Sequence, residues 1–318
     1  MKTLDFLAAV CCMAAVFTAM SITFVSCKKE KTDDPKDPST EQNGGNQNED
    51  ETPDPVTYTL TVLSSNEEMG TVTGGGSYEE GTEVTLTATP TSDGYAFMKW
   101  SDENTDNPRA LTVAEDLELT AIFDYAVVDL GLPSGLKWAA CNVGATSPEE
   151  YGNYYAWGET EPKTTYNWST YKWCNGSYNT QNKYCTSSTY GTVDNKTVLE
   201  LADDAARANW DGQWRMPTDA EWTELRENCE LTWTDDYNGT GVNGRIVTSN
   251  INGNFIFLPA AGYRYDGVLS GAGIYGYYWS SSLCDYPDSA WGVYFFSGYV
   301  DRDYSRRYYG QSVRPVLK

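Results

Sequence analysis

The chain changes character at residue 56, and that break limits the fold more than any single motif does. Residues 28–56, KKEKTDDPKDPSTEQNGGNQNEDETPDPV, contain one aliphatic residue, Val56, and no aromatic. Such a segment cannot bury enough apolar surface to offset the entropy of ordering it. It reads as an acidic, self-repelling tether that as a flexible coil would span roughly 30 Å. Past it, apolar and polar residues alternate, as in Tyr58-Thr-Leu60-Thr-Val62, Val84-Thr-Leu86-Thr-Ala88 and Leu117-Glu-Leu119. A period of two is the mark of a strand with one buried face. Gly74-Gly75-Gly76, Asp93-Gly94 and Asn107-Pro108 punctuate the runs. Residues 57–124 are therefore expected to form a small all-β module.

Residues 125–318 are expected to form a second, larger domain with two helices. In Lys196–Asn209, Val198, Leu201, Ala202, Ala205 and Ala208 fall at helical spacing, with Asp194 as a candidate N-cap. A second helix should start at Thr218. Thr218-Asp219-Ala220-Glu221 has the form of a capping box, and Trp222, Leu225 and Cys229 follow on one face. The remainder reads as short aromatic strands between loops of Gly, Asn, Asp and Ser.

Ahead of the tether, residues 6–25, FLAAVCCMAAVFTAMSITFV, are uncharged and apolar. A stretch of this length can span a bilayer, and it can equally be an export signal. Phe24-Val25-Ser26-Cys27 resembles the bacterial lipobox, with a small residue directly before the cysteine, which favours the second reading. It departs from the usual box at Phe24, and the basic n-region has only Lys2. Residues 1–26 are thus read as a lipoprotein signal peptide, and Cys27 as the lipidated first residue of a tether over residues 27–56. Either reading exports the rest of the chain. Five cysteines then remain: Cys141, Cys174, Cys185, Cys229 and Cys284. Cys174 and Cys185 share one loop-like region and are disulfide candidates in an oxidising space, with unpaired thiols as the alternative.

Composition excludes several functions. The chain has no histidine, so Ser-His-Asp and Cys-His catalysis and His-ligated metals are ruled out. Its formal net charge of −23 makes nucleic acid a poor partner. It has no CxxC motif, and no metal site or cofactor is expected. Asp235, Asp236 and Asn238 offer oxygens for a structural calcium, although such loops are more often plain turns.

Two resemblances sharpen these expectations. The spacing Tyr58-x-Leu60-x-Val62, Gly70-x-Val72, Gly81-x-x-Val84-x-Leu86-x-Ala88-x-Pro90, Tyr95-x-Phe97-x-x-Trp100-Ser101 and Ala121-x-Phe123 resembles the B-repeat of internalins. That likeness implies a surface spacer in which Trp100 is core or, alternatively, a ligand platform. In the second domain, Leu136-Lys137-Trp138, Trp157-Gly158-Glu159, Trp214-Arg215-Met216-Pro217-Thr218, Leu258-Pro259-Ala260-Ala261-Gly262, Tyr278-Trp279-Ser280-Ser281-Ser282 and Val313-Arg314-Pro315-Val316 come in order. They resemble the major paralogous domain of Fibrobacter and Bacteroides lipoproteins. The resemblance implies an α+β fold, a C-type-lectin-like domain with two helices and short antiparallel strands. Paired C-terminal cysteines, as in formylglycine-generating enzymes, are lacking, since Cys284 stands alone. The lectin-type calcium tripeptides are also missing.

The stretch 277–310 is the densest in aromatics, with eight tyrosines, two tryptophans and two phenylalanines but no Lys, Glu, Gln or Met. Trp291, Val293 and Phe295 alternate on the more apolar face and are assigned, with Trp279, to the core. Ser297-Gly298 is expected to be a hairpin turn. Asp285, Tyr286, Tyr294, Phe296, Tyr299, Asp301, Asp303, Tyr304, Arg306 and Tyr308 are the candidate contact residues, because Tyr and Arg dominate evolved binding surfaces. Domains of the resembled kind are sometimes diversified by retroelements that randomise Asn codons. Such codons cannot yield Lys, Glu, Gln, Met or Trp, and residues 283–309 hold none of these except Trp291.

The expected function is that of a non-enzymatic, adhesin-like surface lipoprotein of the outer membrane. It would present a binding head to an unknown protein or glycan and touch the membrane only through its lipid. The alternatives are a carboxylate- or Tyr-dependent enzyme on the same fold and a docking subunit of a surface assembly.

Overall fold

The computed structural model describes residues 54–210 and 212–318. The expected signal peptide, Cys27 and the expected tether up to residue 53 lie outside the described residues. Asp54–Lys318 pack as one unit, and among the described residues no helix is long and apolar enough to cross a membrane.

The alternating sequence of the first module forms seven strands: β1 (Thr57–Ser64), β2 (Gly70–Thr73), β3 (Gly76–Glu79), β4 (Glu83–Pro90), β5 (Tyr95–Trp100), β6 (Arg109–Thr112) and β7 (Leu117–Tyr125). One sheet has the order β3-β1-β7-β5 and the other β2-β4-β6. All pairings are antiparallel except β1 with β7, which run parallel from Leu60↔Leu117 to Ser64↔Ala121. The inward residues Leu60, Leu86, Ala88, Leu119, Ala121 and Phe123 close over Trp100. Trp100 is fully buried, and its Nε1 donates to the Asp106 carbonyl at 2.9 Å. It is therefore a core residue, not a ligand platform.

The module continues into the second domain without a free linker. Tyr125 at the end of β7 stacks on Trp210 at 3.8 Å. The Gly94 N–H donates to the Thr146 carbonyl at 2.8 Å. A Cβ at Gly94 would lie 2.5 Å from that oxygen, so only glycine permits the approach.

In the second domain, β8 (Val127–Asp129), β9 (Lys137–Ala139) and the terminal β18 (Val316–Leu317) form one sheet. Another contains β10 (Cys229–Thr234), β11 (Gly244–Ser249) and β12 (Phe255–Pro259). A small hairpin joins β13 (Tyr263–Tyr265) to β14 (Val268–Ser270), and the last sheet has the order β15 (Gly276–Leu283), β16 (Ser289–Phe296), β17 (Tyr299–Arg306). The helices are α1 (Ala205–Trp210) and α2 (Asp219–Asn228). Of the described residues 42 % are strand, in many small sheets, and 8 % helix, so the described part is mostly β, which overturns the expected α+β, C-type-lectin-like class with two full helices.

The first expected helix fails for a local reason. Val198 and Leu201, assigned to its buried face, are exposed. The backbone at Val198 pairs with Ser282, and the Leu199 N–H donates to the Ser281 carbonyl at 2.9 Å. After a single 3-10 turn at Leu201–Asp203, α-helix begins only past Asp204, whose buried carboxylate accepts from the Ala206, Arg207 and Met216 N–H groups at 2.8–3.1 Å. Asp194 instead accepts from Tyr184 and Cys185 N–H in a loop. The second expected helix starts at the expected cap and ends at Asn228, so Cys229, expected on its face, opens β10 instead. Glu221 N–H donates to Thr218 Oγ1, Thr218 N–H donates to Glu221 Oε2 at 2.8 Å, and Trp222 and Leu225 are buried.

Two buried arginines hold the carbonyls that these short strands leave unpaired. Arg314, fully buried, donates to Asn142 Oδ1 and to the Ala139, Ala140 and Phe257 carbonyls at 2.7–3.0 Å. Arg307, equally buried, bonds Tyr171 Oη and the Lys183, Tyr184 and Pro287 carbonyls at 2.8–3.2 Å. Cys141, Cys174, Cys185, Cys229 and Cys284 are free and buried, so the Cys174–Cys185 disulfide candidate is not formed. Cys174 Sγ donates to the Trp168 carbonyl and Cys185 Sγ to that of Ser187.

Candidate functional site

Strands β16 and β17 pair in unbroken register from Ser289↔Arg306 to Phe296↔Tyr299, turning at Ser297-Gly298 as expected. The pleat sends alternate side chains to opposite faces. Val293, Phe295 and Val300 pack into the core, while Tyr304 lies opposite Trp291. Trp291 is only half-buried, contrary to its core assignment, because it sits at the rim of that face. The Arg302 guanidinium covers its ring at 3.4 Å and is itself held by Asp219 of α2 at 2.8 Å.

The candidate contact residues therefore do not form one surface. Tyr294, Phe296, Tyr299, Asp301 and Asp303 share the opposite face, where Tyr294 packs on Tyr277 at 4.7 Å and Phe296 on Tyr299 at 5.6 Å. Asp301 is tied to Arg226 at 2.5 Å and accepts from Tyr299 Oη. The N–H of Arg302 and this pairing hold the Asp301 carboxyl below its ordinary value. Tyr308 is buried beneath Trp168 at 4.7 Å, and burial raises its phenol.

Tyr286, Tyr304 and Arg306 do come together, in a cleft of about 360 Å³ whose other lining residues are Trp168, Tyr178, Tyr190, Asp288 and Ser289. One wall is the turn before β16. There the Ser289 N–H donates to the Tyr286 carbonyl at 2.9 Å, and Tyr286 is thrust outward against Tyr304 at 5.6 Å. Asp285 is exposed beside it. The other wall comes from residues 164–191, which have no helix or long strand. Their shape depends on backbone pairing of Gln181 with Tyr190 and Thr192 at 2.8 Å. Gly191 makes this possible, with φ 148° and only 2.0 Å between a would-be Cβ and the Gln181 carbonyl oxygen. The pairing sets Tyr190 edge-on to Tyr178 at 6.3 Å.

The floor is polar. The Asp288 side chain is 2 % exposed and ion-pairs with Arg306, which is 49 % exposed. Ser289 Oγ donates to Asp288 Oδ1 at 3.1 Å. Beneath the floor, Arg307 fastens Lys183 and Tyr184 of one wall to Pro287 of the other. Trp168, Tyr178, Tyr190, Asp288 and Ser289 escape a sequence reading because a loop has no periodicity. The signal for the first three was composition, since residues 164–191 share the Tyr, Trp, Ser and Gly usage of the C-terminal stretch.

Burial pushes the Cys141 thiol up to about 12 and the Cys229 thiol to about 11, and it raises Cys284 too, so these are protonated thiols rather than nucleophiles. Asp235 and Asp236 accept from Trp233 Nε1 and the Gly241 N–H, so both carboxylates serve their turn. Among the described residues no three Cys, Asp or Glu side chains are grouped to hold a metal.

Residues 58–127 match the family model of the divergent InlB B-repeat domain. No curated protein and no solved structure matches the chain.

Proposed function

With a B-repeat module at residues 58–127 as the premise, we propose that the chain is an exported surface lipoprotein whose second domain is an adhesin-like binding head. Lipid on Cys27 anchors it to the outer membrane, the acidic segment gives reach, and the module is a spacer. The partner is an extracellular protein or glycan, and the net charge of −23 disfavours nucleic acid.

One observation carries this reading: the cleft walled by Trp168, Tyr178, Tyr190, Tyr286 and Tyr304 over the Asp288–Arg306 pair. Concave sites with aromatic walls and a few converging polar groups are where ligands bind. The cleft lining has a single carboxylate, Asp288. Glycoside hydrolysis needs two, which favours binding over turnover. The test is a protein and glycan array probed with the purified chain and with Tyr304→Ala. Loss of the hits in the variant supports the assignment, and hits unchanged in both Tyr304→Ala and Tyr286→Ala refute it.

A further inference from the structure

Resting on that reading of the cleft, we propose that its occupant is a short neutral saccharide. Size is the first argument. A cleft of about 360 Å³ lies at the low end of the roughly 300–1,000 Å³ range of small-ligand sites. A stable protein partner instead needs about 800 Å² of surface on each side.

The lining is the second argument. It contains five aromatic rings and no aliphatic side chain. Aromatic faces carry partial negative charge and attract the weakly positive C–H groups that cover one face of a pyranose ring. An aliphatic anchor would gain little from such walls beyond area, whereas a sugar also needs polar groups for its hydroxyl rim.

The floor supplies those groups. Asp288 accepts one bond from Ser289 and one from Arg306, and a carboxylate has about four acceptor positions. Arg306 uses Nη1 on Asp288, while its Nε and Nη2 have no partner among the described residues. Asp288 is itself all but buried, so its part is to hold the guanidinium, whose free Nε and Nη2 edge is left as a donor fork toward the cleft. The adjacent oxygens of a vicinal diol match such a fork, each accepting one bond.

Charge decides between neutral and acidic sugars. Asp288 already offsets the Arg306 charge, so the floor has no net positive charge. The field of a chain carrying −23 repels anions at long range. Acidic glycans and phosphorylated ligands are disfavoured on both counts.

The experiment uses the full-length chain in mild detergent on an array of neutral oligosaccharides, uronate-containing and sulfated oligosaccharides, and peptides. Hits are then titrated by calorimetry at low salt and at about 0.5 M salt, where the Debye length has shrunk to a few ångströms. The expected result is binding of neutral saccharides, changed less than about twofold by salt. Tyr304→Ala and Tyr286→Ala, both at exposed positions, should each weaken it by roughly tenfold at an unchanged melting temperature, as loss of a stacking ring implies. Binding confined to acidic glycans, with affinity falling steeply in salt, overturns the neutral assignment. A peptide that binds and is lost in Tyr304→Ala overturns the saccharide but keeps the cleft. Saccharide binding indifferent to both substitutions overturns the cleft reading itself.

Discussion

Replacing Arg307 by Met tests how the cleft is built. Methionine can fill much of the volume but offers no donors. The change strips the only described partners from three loop carbonyls, Lys183, Tyr184 and Pro287, and the donor from Tyr171 Oη. Leaving a buried acceptor unpaired costs about 1–3 kcal/mol. Relief from burying a guanidinium that has no carboxylate partner returns part of this. Summed over the three carbonyls and the phenol, less that relief, the net loss should be about 3–5 kcal/mol. For a unit of this size that lowers the melting temperature by roughly 6–20 °C. Calorimetry measures the loss, and amide hydrogen exchange shows where it falls. Protection should drop in residues 164–191 and 284–288 while the Trp100 core of the first module keeps its own. Arg307→Lys should rescue little, because one ammonium cannot span acceptors fixed for a planar fork. A melting temperature within about 2 °C of the parent, or exchange raised evenly across both modules, would refute the clamp.

Other outcomes follow from single features. Thr218→Ala removes the cap of α2 and should cost about 1 kcal/mol by denaturant titration; no change would mean the box is idle. Burial alone would raise the Glu221 carboxyl, but Arg215 and the Thr218 N–H outweigh it and hold it below its ordinary value of 4.5. A depressed folded value adds stability above pH 4.5 that is lost as pH falls through it. Glu221→Gln, which keeps the capping geometry, should therefore be less stable than the parent at pH 7 and converge with it in acid; a gap that persists at pH 2 would count against the pairing. Iodoacetamide should leave Cys141, Cys174, Cys185, Cys229 and Cys284 unlabelled in the native protein and label all five after denaturation without reductant; a missing pair would reveal a Cys174–Cys185 bridge. Gly191→Ala should disorder the wall bearing Tyr178 and Tyr190, at about 1–3 kcal/mol, read as lost exchange protection there.

Legibility followed the range of the interactions. The module was readable because its alternation and the burial it reports, such as Leu86 and Ala88 in β4, are properties of neighbouring residues. Thr218 with Glu221 and the Ser297-Gly298 turn were readable for the same reason. Lys196–Asn209 misled because its spacing suits a helix while Val198 pairs with Ser282, far along the chain, and the buried Asp204 sets the start of α1. The contact residues are expected from their type, and the structure brings Tyr286, Tyr304 and Arg306 together in one cleft. Their type could not show that β17 divides them between two faces, although its alternation could. Asp288 and Trp168 were out of reach, since only the meeting of two distant loops makes them neighbours. The α+β expectation came from ordered motifs, and those motifs lie in small sheets and turns rather than helices.

The parallel pairing of β1 with β7 has a mechanical consequence. With the N-terminus anchored and the cleft occupied as proposed, tension would enter at Thr57 and pull on the chain leaving at Tyr125. In a parallel pair these two points lie at opposite ends, so the load runs along the strands. The bonds across the five register pairs Leu60↔Leu117 to Ser64↔Ala121 are then sheared together rather than opened one by one. A module threaded this way resists pulling best along the direction in which the proposed tethered adhesin would be pulled.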